Sequence, residues 1–382
     1  MDFELTDDQK MIRETVREFA EKKIKPFAHE LDEKEEFSEE ITKAMGDLGI
    51  FGIVVPEEYG GQGLDYTSYI IAVEELARVD GSHAATIAAG VSLGIAPLLY
   101  FGTEEQKKKY LPALVAGEKL FAFGLTEPGA GSDSRGSKTK AEKVGDEWVI
   151  NGAKIFITNG SADMNWGSIV QTVTDRDDKG VPEFTCFIVE KGAEGFTQKT
   201  MHKKMMWRAS NTAELYFTNV KVANSAMLGT KGAGSKQMLK TLDSGRLSIG
   251  AMGLGCAQGA YELALAYAKQ REQFGKPISR HQVISFKLAD MAVKIEHART
   301  FLYKACWLRD TGKPFAKESA MAKLYCSEVA KEVADEAVQI HGGYGLMKEF
   351  DVERFYRDQR LLQIGEGTSE IQRLVISRAI GC

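Results

Sequence analysis

Apolar positions along the chain keep two periods, and the switch between them divides it in three. Over about the first 120 residues the period is helical. Thr6 followed by Gln9 forms a capping-box pattern, after which Met11 or Ile12, Val16, Phe19 and Ala20 recur on one face. Further helices are predicted at 38–48, 66–79, 83–100 and 107–114, the last opened by a second capping-box pair, Thr103 and Gln106. The turn-rich run Pro56-Glu-Glu-Tyr-Gly-Gly-Gln-Gly63 separates the helices at 38–48 and 66–79. From Phe121 the period shortens to two. Phe121, Phe123 and Leu125 alternate, as do residues 137–143, 147–150 and 154–158, with Gly145-Asp146 and Asn151-Gly152 as turn signals. Strands are also expected at 168–174, 184–189 and 213–222. Helical periodicity returns at Gly232 and covers 235–270, 283–311 and 316–341, with a helical tail at 371–379. The pattern predicts an α+β chain: an N-terminal α-helical domain over 1–120, a middle antiparallel β domain over 121–231 and a C-terminal α-helical domain over 232–382.

Composition narrows the function more than the fold. At 382 residues, with 43% hydrophobic and 27% charged residues and eight prolines, the chain is globular and too long for one ordinary core. A net charge of −5 argues against a nucleic acid or an acidic membrane surface as main partner, and the basic cluster Lys107 to Lys109 reads as a solvated helix face. Five scattered cysteines with no C-x-x-C indicate neither a disulfide framework nor a zinc site, so a reducing compartment fits best. The first residues read as a helix rather than a signal or transit peptide, and no stretch approaches the apolar length needed to span a bilayer. The expected location is cytoplasmic, with no membrane partner.

Candidate chemistry gathers at glycines. Glu366 stands between Gly365 and Gly367, just after the apolar run Leu361, Leu362 and Ile364. On such a bend a carboxylate can lie against a ligand, and burial among apolar neighbours would raise its pKa as a general base requires. Glu366 also reads as an acid at the start of the last helix, favoured by the dipole, with Thr368 as candidate N-cap. Gly253-Leu-Gly-Cys-Ala-Gln-Gly259 only approximates a dinucleotide fingerprint; it follows no strand, so close helix packing explains it better. Leu125-Thr-Glu-Pro-Gly-Ala-Gly-Ser-Asp133 follows a strand and offers donors on an open bend, although a hairpin loop explains it too. Gln339-Ile-His-Gly-Gly-Tyr-Gly345 closes a long helix, as a plain C-cap would.

Together these stretches resemble the signature motifs of the acyl-CoA dehydrogenase family. The first signature reads Gly124-Leu-Thr-Glu-Pro-Gly-Ala-Gly-Ser-Asp-Ser-Arg-Gly136, and the second runs from Gln339 to Leu346 and on to Glu349, Arg354 and Asp358. Also similar are Lys154-Ile-Phe-Ile-Thr-Asn-Gly160, Arg271-Glu-Gln-Phe-Gly275 with Gln282, and Glu366-Gly-Thr-Ser-Glu-Ile-Gln-Arg373. The motifs occur in the family's order across essentially the whole chain. The resemblance implies the acyl-CoA dehydrogenase-like fold, with a four-helix bundle in the C-terminal domain.

It also implies FAD as cofactor. Leu125 and Thr126, with Phe123 beside them, would lie near the flavin N5, and Ser132 near the pyrophosphate and the substrate's CoA. Phe156 would face the isoalloxazine ring, where many relatives have Trp, and Thr158 would hydrogen-bond it; a strand Phe can equally be core. Arg271, Phe274 and Gln282 would come from a neighbouring subunit of a homotetramer, Gln339, Gly342 and Gly343 would lie against the ADP half, and Thr368 and Glu370 would complete the site. Asp243 and Arg246 would face the CoA, with Ser132, Gly365 and Gly367 also at the substrate. Arg246 can equally be a salt-bridged helix residue.

The reaction implied is α,β-dehydrogenation of an acyl-CoA thioester to the 2-enoyl-CoA. Glu366 would take the pro-R α-proton while its own N–H and the flavin ribityl 2′-hydroxyl hold the thioester oxygen, the β-hydride would pass to flavin N5, and electron-transfer flavoprotein would collect the electrons. Some relatives place the base one residue before the CoA-binding Arg; here that position is Gly245, which leaves Glu366 as the candidate. Many straight-chain relatives have Tyr just before the base. Here Gly365, with the small-residue floor Thr86 to Ser92, points to a short- to medium-size acyl group that is branched, alicyclic or aryl-substituted, unless Gly365 serves only the turn. Met206 and Ala223 stand where Gly and Pro are frequent. An enoyl-CoA reductase running the reverse reaction and a non-catalytic flavin-binding relative are the alternatives; the retained Glu366 weighs against the second.

Overall fold

The fold is taken from a computed structural model that describes residues 4–382. Residues 7–115 supply α1 (Asp7–Phe19), α2 (Lys25–Lys34), α3 (Glu39–Asp47), α4 (Tyr66–Ala77), α5 (Gly81–Ala89), α6 (Ala96–Phe101) and α7 (Glu104–Val115). Local chemistry sets their starts. Both capping boxes form, with Thr6 and Gln9 exchanging bonds before α1 and Thr103 and Gln106 doing so before α7. Ser38, Asp65 and Asp80 cap α3, α4 and α5 through their side-chain oxygens.

A π-helical turn at Gly90–Ile95 joins α5 to α6, so Gly81–Phe101 is one helical run of 21 residues, within which an 18-residue window has mean hydropathy 1.7. By length and composition alone that run could cross a membrane, which corrects the expectation that no stretch is long enough. Its apolarity has a nearer cause: 72% of its window is buried inside the fold, beside α4, every residue of which is also buried.

The middle of the chain forms β1 (Leu120–Gly124), β2 (Lys140–Val144), β3 (Glu147–Thr158), β4 (Asn165–Arg176), β5 (Pro182–Glu190), β6 (Phe196–Thr200), β7 (Thr212–Ala223) and β8 (Met227–Leu228). They make one sheet in the order β6-β7-β3-β2-β4-β5-β8, with β1 added to β4. Most pairs are antiparallel, but β1 and β2 run parallel to β4. Asn151-Gly152 is not a turn. It is a bulge inside β3, where pairing to β7 slips between Ile150 and Gly152 and Asn151 Oδ1 accepts the Asn219 N–H at 2.8 Å. Successive residues of β4 and β5 serve different cores: Ile169 and Ile188 join the helices, while Val170, Phe187 and Val189 pack with Trp148, Phe196 and Phe217. Burial on both faces explains the near-continuous apolar runs there.

After the sheet come α8 (Gly234–Gln270), the small hairpin β9 (Glu272–Gln273) and β10 (Lys276–Pro277), then α9 (Gln282–Asp310), α10 (Ala316–His341), α11 (Val352–Leu362) and α12 (Ser369–Ala379). The long α8 packs on α10, α9 and α4, so helices from both ends of the chain share one core. The stretch Gly253 to Gly259 lies in the middle of α8 because backbones approach there. A Cβ on Gly253 would stand 2.9 Å from the Cys326 carbonyl of α10, and one on Gly255 or Gly259 would strike the Glu74 or Arg78 carbonyl.

Candidate active site

Residues 363–368 join α11 to α12 by a bend that aims one carboxylate into the core. The Gly365 N–H donates to the Leu361 carbonyl at 2.8 Å, after which Glu366 and Gly367 both take left-handed backbone, at φ 51° and 94°. This turns the Glu366 side chain toward α8, where Gly245 leaves room for it. A Cβ on Gly245 would overlap Glu366 Oε2 and stand 3.0 Å from its Cδ. Oε2 is buried without a hydrogen-bond partner, and burial pushes the carboxyl up to about 7, against the opposing pull of Lys323 and Arg246. The residue as a whole is half-buried although its Oε2 is enclosed, and among the described residues its N–H has no intramolecular partner. One residue therefore offers a buried proton acceptor and a free donor.

Gly365 is different from its neighbour Gly367. Its φ is not left-handed, and a Cβ there would meet only Leu361, with the carbonyl at 3.6 Å and Cγ at 3.7 Å, which are ordinary contacts. Neither the turn nor the packing needs glycine at 365.

Around the bend lie polar groups from three helices. Arg246, next to Gly245 on α8, is buried with Nη1 on Asp243 Oδ1 at 2.6 Å and Nε unpartnered, so the salt-bridged reading holds for the fold itself while one donor stays unused. Burial raises the Asp243 carboxyl despite this arginine. The floor Thr86 to Ser92 is buried: Ser92 Oγ lies 3.3 Å from Ser248 Oγ of α8, and Tyr69 of α4 donates to the Ala88 carbonyl at 3.3 Å. Asn159 Nδ2 donates to the Thr86 carbonyl at 3.1 Å and ties this floor to the sheet.

A second group forms where β1 ends. Thr126 accepts the Ile155 N–H at 3.0 Å, which sets Leu125 and Thr126 beside Phe156 and Thr158 of β3. Phe156 is 64% exposed and holds φ 60°, a conformation unfavourable for an aromatic residue. It is not core. A large exposed ring kept on strained backbone is suited to a flat ligand. Thr158 is half-buried beside it, Phe123 is buried below in the core, and Ser132 is exposed on the loop. Glu127 and Lys154 fasten this loop: Glu127 accepts the Lys138 and Thr139 N–H groups at 2.7 and 3.0 Å, and the enclosed Lys154 Nζ donates to Glu127 at 2.8 Å and to the Leu125 carbonyl at 3.1 Å.

A third group stands apart. Arg271, Gly342 and Gly343 line an open groove of about 610 Å³ with Tyr267, Tyr344 and Met347, and no residue of the 363–368 bend lines it. The Arg271 guanidinium sits 5.7 Å from the Tyr344 ring centre. Phe274, 95% exposed at φ 54°, caps the β9–β10 turn, and Gln282 and Gln339 are exposed at the ends of α9 and α10. Thr368 caps α12 by accepting the Ile371 N–H at 3.3 Å, as expected of an N-cap, and Glu370 is exposed in the first turn.

Two lysines escaped the sequence reading as functional side chains: Lys154, quoted only within a motif, and Lys323 of α10, whose Nζ donates to the Gly367 carbonyl at 2.8 Å. The signal for Lys323 is a cation on the helix stripe that carries Ala320 and Cys326, both buried.

Sequence profiles of the acyl-CoA dehydrogenase N-terminal, middle and C-terminal domains match residues 6–118, 122–220 and 232–381. A probable acyl-CoA dehydrogenase of Bacillus subtilis is 51% identical over 100% of both chains. A caffeyl-CoA reductase-Etf complex subunit of Acetobacterium woodii is 44% identical, over 97% of this chain and 98% of that one. The butyryl-CoA dehydrogenase of Megasphaera elsdenii superposes with a TM-score of 0.96 at 47% identity, over 100% of both chains. A chain from a structural study of the electron transferring flavoprotein of Acidaminococcus fermentans, directed at flavin-based electron bifurcation, gives 0.97 at 46%, again over 100% of both. An acyl-CoA dehydrogenase of Bacillus anthracis complexed with FAD gives 0.93 at 38%, over 99% of this chain and 67% of that one. The chain belongs to the acyl-CoA dehydrogenase family, and its fold is that family's three-domain fold. Its residues fit a flavin, because the exposed ring of Phe156 lies beside the open loop of Leu125 and Thr126.

Proposed function

We propose that this chain is an FAD-dependent acyl-CoA dehydrogenase acting on short- to medium-size acyl thioesters that are branched, alicyclic or aryl-substituted. The observation that carries the reading is Glu366, whose partnerless carboxylate is buried and raised to about 7 while its own N–H has no intramolecular partner among the described residues. An α-proton of a thioester is weakly acidic, so removal needs a base and a donor at the carbonyl oxygen together. Glu366 takes the α-proton, and its N–H holds the thioester oxygen on which charge develops. Bound FAD supplies the acceptor for the hydride that leaves Cβ.

Phe156 would hold the flavin ring, with Phe123, Leu125, Thr126, Thr158 and Ser132 as the other residues of this chain that would bind the cofactor. Asp243, Arg246, Ser132, Gly365 and Gly367 hold the substrate. The wide acyl pocket is supported by Gly365, whose missing side chain answers no demand of the fold itself. Arg271, Phe274 and Gln282 reach a neighbouring subunit's cofactor in a homotetramer, with Gln339, Gly342, Gly343, Thr368 and Glu370 completing each site. The exposure of Phe274, Val283 and Phe286 on adjacent elements supports that assembly. Electron-transfer flavoprotein is the proposed electron partner, supported by the relative named as a subunit of a reductase-Etf complex and by the similar chain from a study of an electron transferring flavoprotein.

Glu366→Gln tests this reading. The variant is expected to keep FAD and its fold and to lose anaerobic bleaching of the flavin by acyl-CoA about 10² to 10⁴-fold in rate. Because the base must be ionised, wild-type kcat/KM is expected to rise with pH through about 7. Near-normal turnover by the variant overturns the assignment.

A second reading is the same site working as a 2-enoyl-CoA reductase, favoured by the 44% identity to a caffeyl-CoA reductase subunit. Reoxidation of reduced flavin by enoyl-CoA, with no bleaching by any acyl-CoA, would select it.

A further inference from the structure

Lys323 is wholly enclosed on α10, yet among the described residues no carboxylate forms an ion pair with it. An ammonium left in an apolar core is strongly unfavourable unless something compensates it. Its Nζ spends one bond on the Gly367 carbonyl, at 2.8 Å. The same carbonyl accepts Gln372 Nε2 at 2.8 Å, and that amide also reaches the Glu366 carbonyl at 3.2 Å. Glu366 and Gly367 are the two left-handed residues that aim the carboxylate, so the doubly bonded carbonyl sits where the bend most needs holding. Glu366 Oε2 is buried and partnerless in turn, and each of the two charges is the strongest opposite charge acting on the other.

We propose that Lys323 is the positioning residue of the Glu366 base: its ammonium holds the bend through Gly367, and its charge favours the ionised carboxylate before substrate arrives. The proposal rests on Glu366 being that base. Other charged and titratable groups surround the pair. Arg246 and Asp243 face it from α8, Tyr69 from α4, Glu328 from α10 and Glu370 from α12. Arg246 is paired with Asp243, and Glu328 accepts from Gln363 at 2.8 Å and from Ser369 at 3.2 Å, which leaves Lys323 as the cation of this group without a carboxylate of its own.

Two variants separate the roles. Lys323→Gln retains an N–H donor for Gly367 and removes the charge; Lys323→Met removes both. The carboxyl C=O stretch of Glu366, isolated by infrared difference against Glu366→Gln made in each background, reports its titration in the holoenzyme without substrate. In Lys323→Gln the midpoint is expected to move up by about 1 pH unit, and the acid limb of kcat/KM with it, at unchanged FAD content. In Lys323→Met kcat should fall further even at pH values where Glu366 is fully ionised. An unmoved midpoint in folded Lys323→Gln overturns the proposal. A midpoint that moves while the acid limb stays put supports the pairing and overturns instead the assignment of Glu366 as base. If neither lysine variant folds, the near-isosteric Glu366→Gln serves: ¹⁵N NMR of the lysine Nζ should show Lys323 titrating lower than in wild type, and an unchanged Lys323 overturns the proposal.

Discussion

Gly245 of α8 and Glu366 of the bend before α12 share one space: the carboxylate Oε2 lies where a side chain on Gly245 would begin. The hydrogen that glycine carries in place of Cβ is what lets a carboxylate lie against the helix. Glu366 is raised to about 7 by its burial in that space rather than by a neighbouring acid.

Gly245→Ala therefore sets helix propensity against function. In an exposed helix the change favours folding by about 1 kcal/mol. Here the new methyl must displace the Glu366 carboxylate, and misplacement of a reacting group by about 1 Å can lower a rate about 100-fold. Steady-state kinetics on the FAD-loaded variant should show that drop in kcat with cofactor content unchanged. Full activity would mean that the carboxylate works from another position.

Gly365→Tyr probes the pocket. Since a Cβ at 365 makes only ordinary contacts with Leu361, the variant is expected to fold and to bleach with straight-chain acyl-CoAs. Branched, cyclic and aryl substrates should lose about 10 to 100-fold in kcat/KM relative to butyryl-CoA, the range a poorly fitting hydrophobic group commands. An unchanged ratio would remove Gly365 from the specificity argument.

Periodicity exposed the helices and most strands because each buries one face, and caps such as Thr6 and Thr103 marked helix starts by chemistry that acts within four residues. Asn151-Gly152 misled because the same dipeptide suits a turn and a bulge, and only the pairing of β3 with β7 decides between them. The candidate base was legible from its flanking glycines. Its surroundings were not legible in local pattern: Gly245 and Lys323 reach Glu366 across 121 and 43 residues of chain, so Gly245 entered only through the family resemblance and Lys323 not at all. Arg271, Phe274 and Gln282 stand exposed, and the groove that Arg271 lines is not lined by the bend.

Phe156→Gly separates strain from binding. The left-handed backbone at φ 60° is unfavourable for Phe and free for glycine, a difference of about 1 kcal/mol or more. Because the ring is 64% exposed, its removal takes little packing with it. The apoprotein should melt no lower than wild type, while FAD binds about 10-fold more weakly for want of a stacked face. Scanning fluorimetry and a flavin fluorescence titration measure the two effects. A lower apoprotein Tm with unchanged FAD affinity would return Phe156 to a purely structural role.

Asp358 supplies a test of the fold that is independent of catalysis. It lies buried on α11, accepts the Trp207 N–H at 2.8 Å, and is raised to about 7 by burial and by Asp80, with Arg354 opposing. Arg354 itself is bonded to Asp80 at 3.0 Å, so Asp358 is left as the surplus acid of the cluster. A carboxyl whose folded pKa lies above its ordinary 3.8 binds its proton more tightly folded than unfolded. The fold then loses stability as pH climbs from the unfolded value to the folded one, and the loss is complete above about 7. Asn keeps an oxygen for Trp207 and carries no proton to lose. The Tm difference, Asp358→Asn minus wild type, should therefore rise with pH between 3.8 and about 7, by an amount on the order of a few °C, and level off above. A difference that is flat across this range would mean that Asp358 is ionised throughout, with Arg354 rather than Asp80 governing its charge.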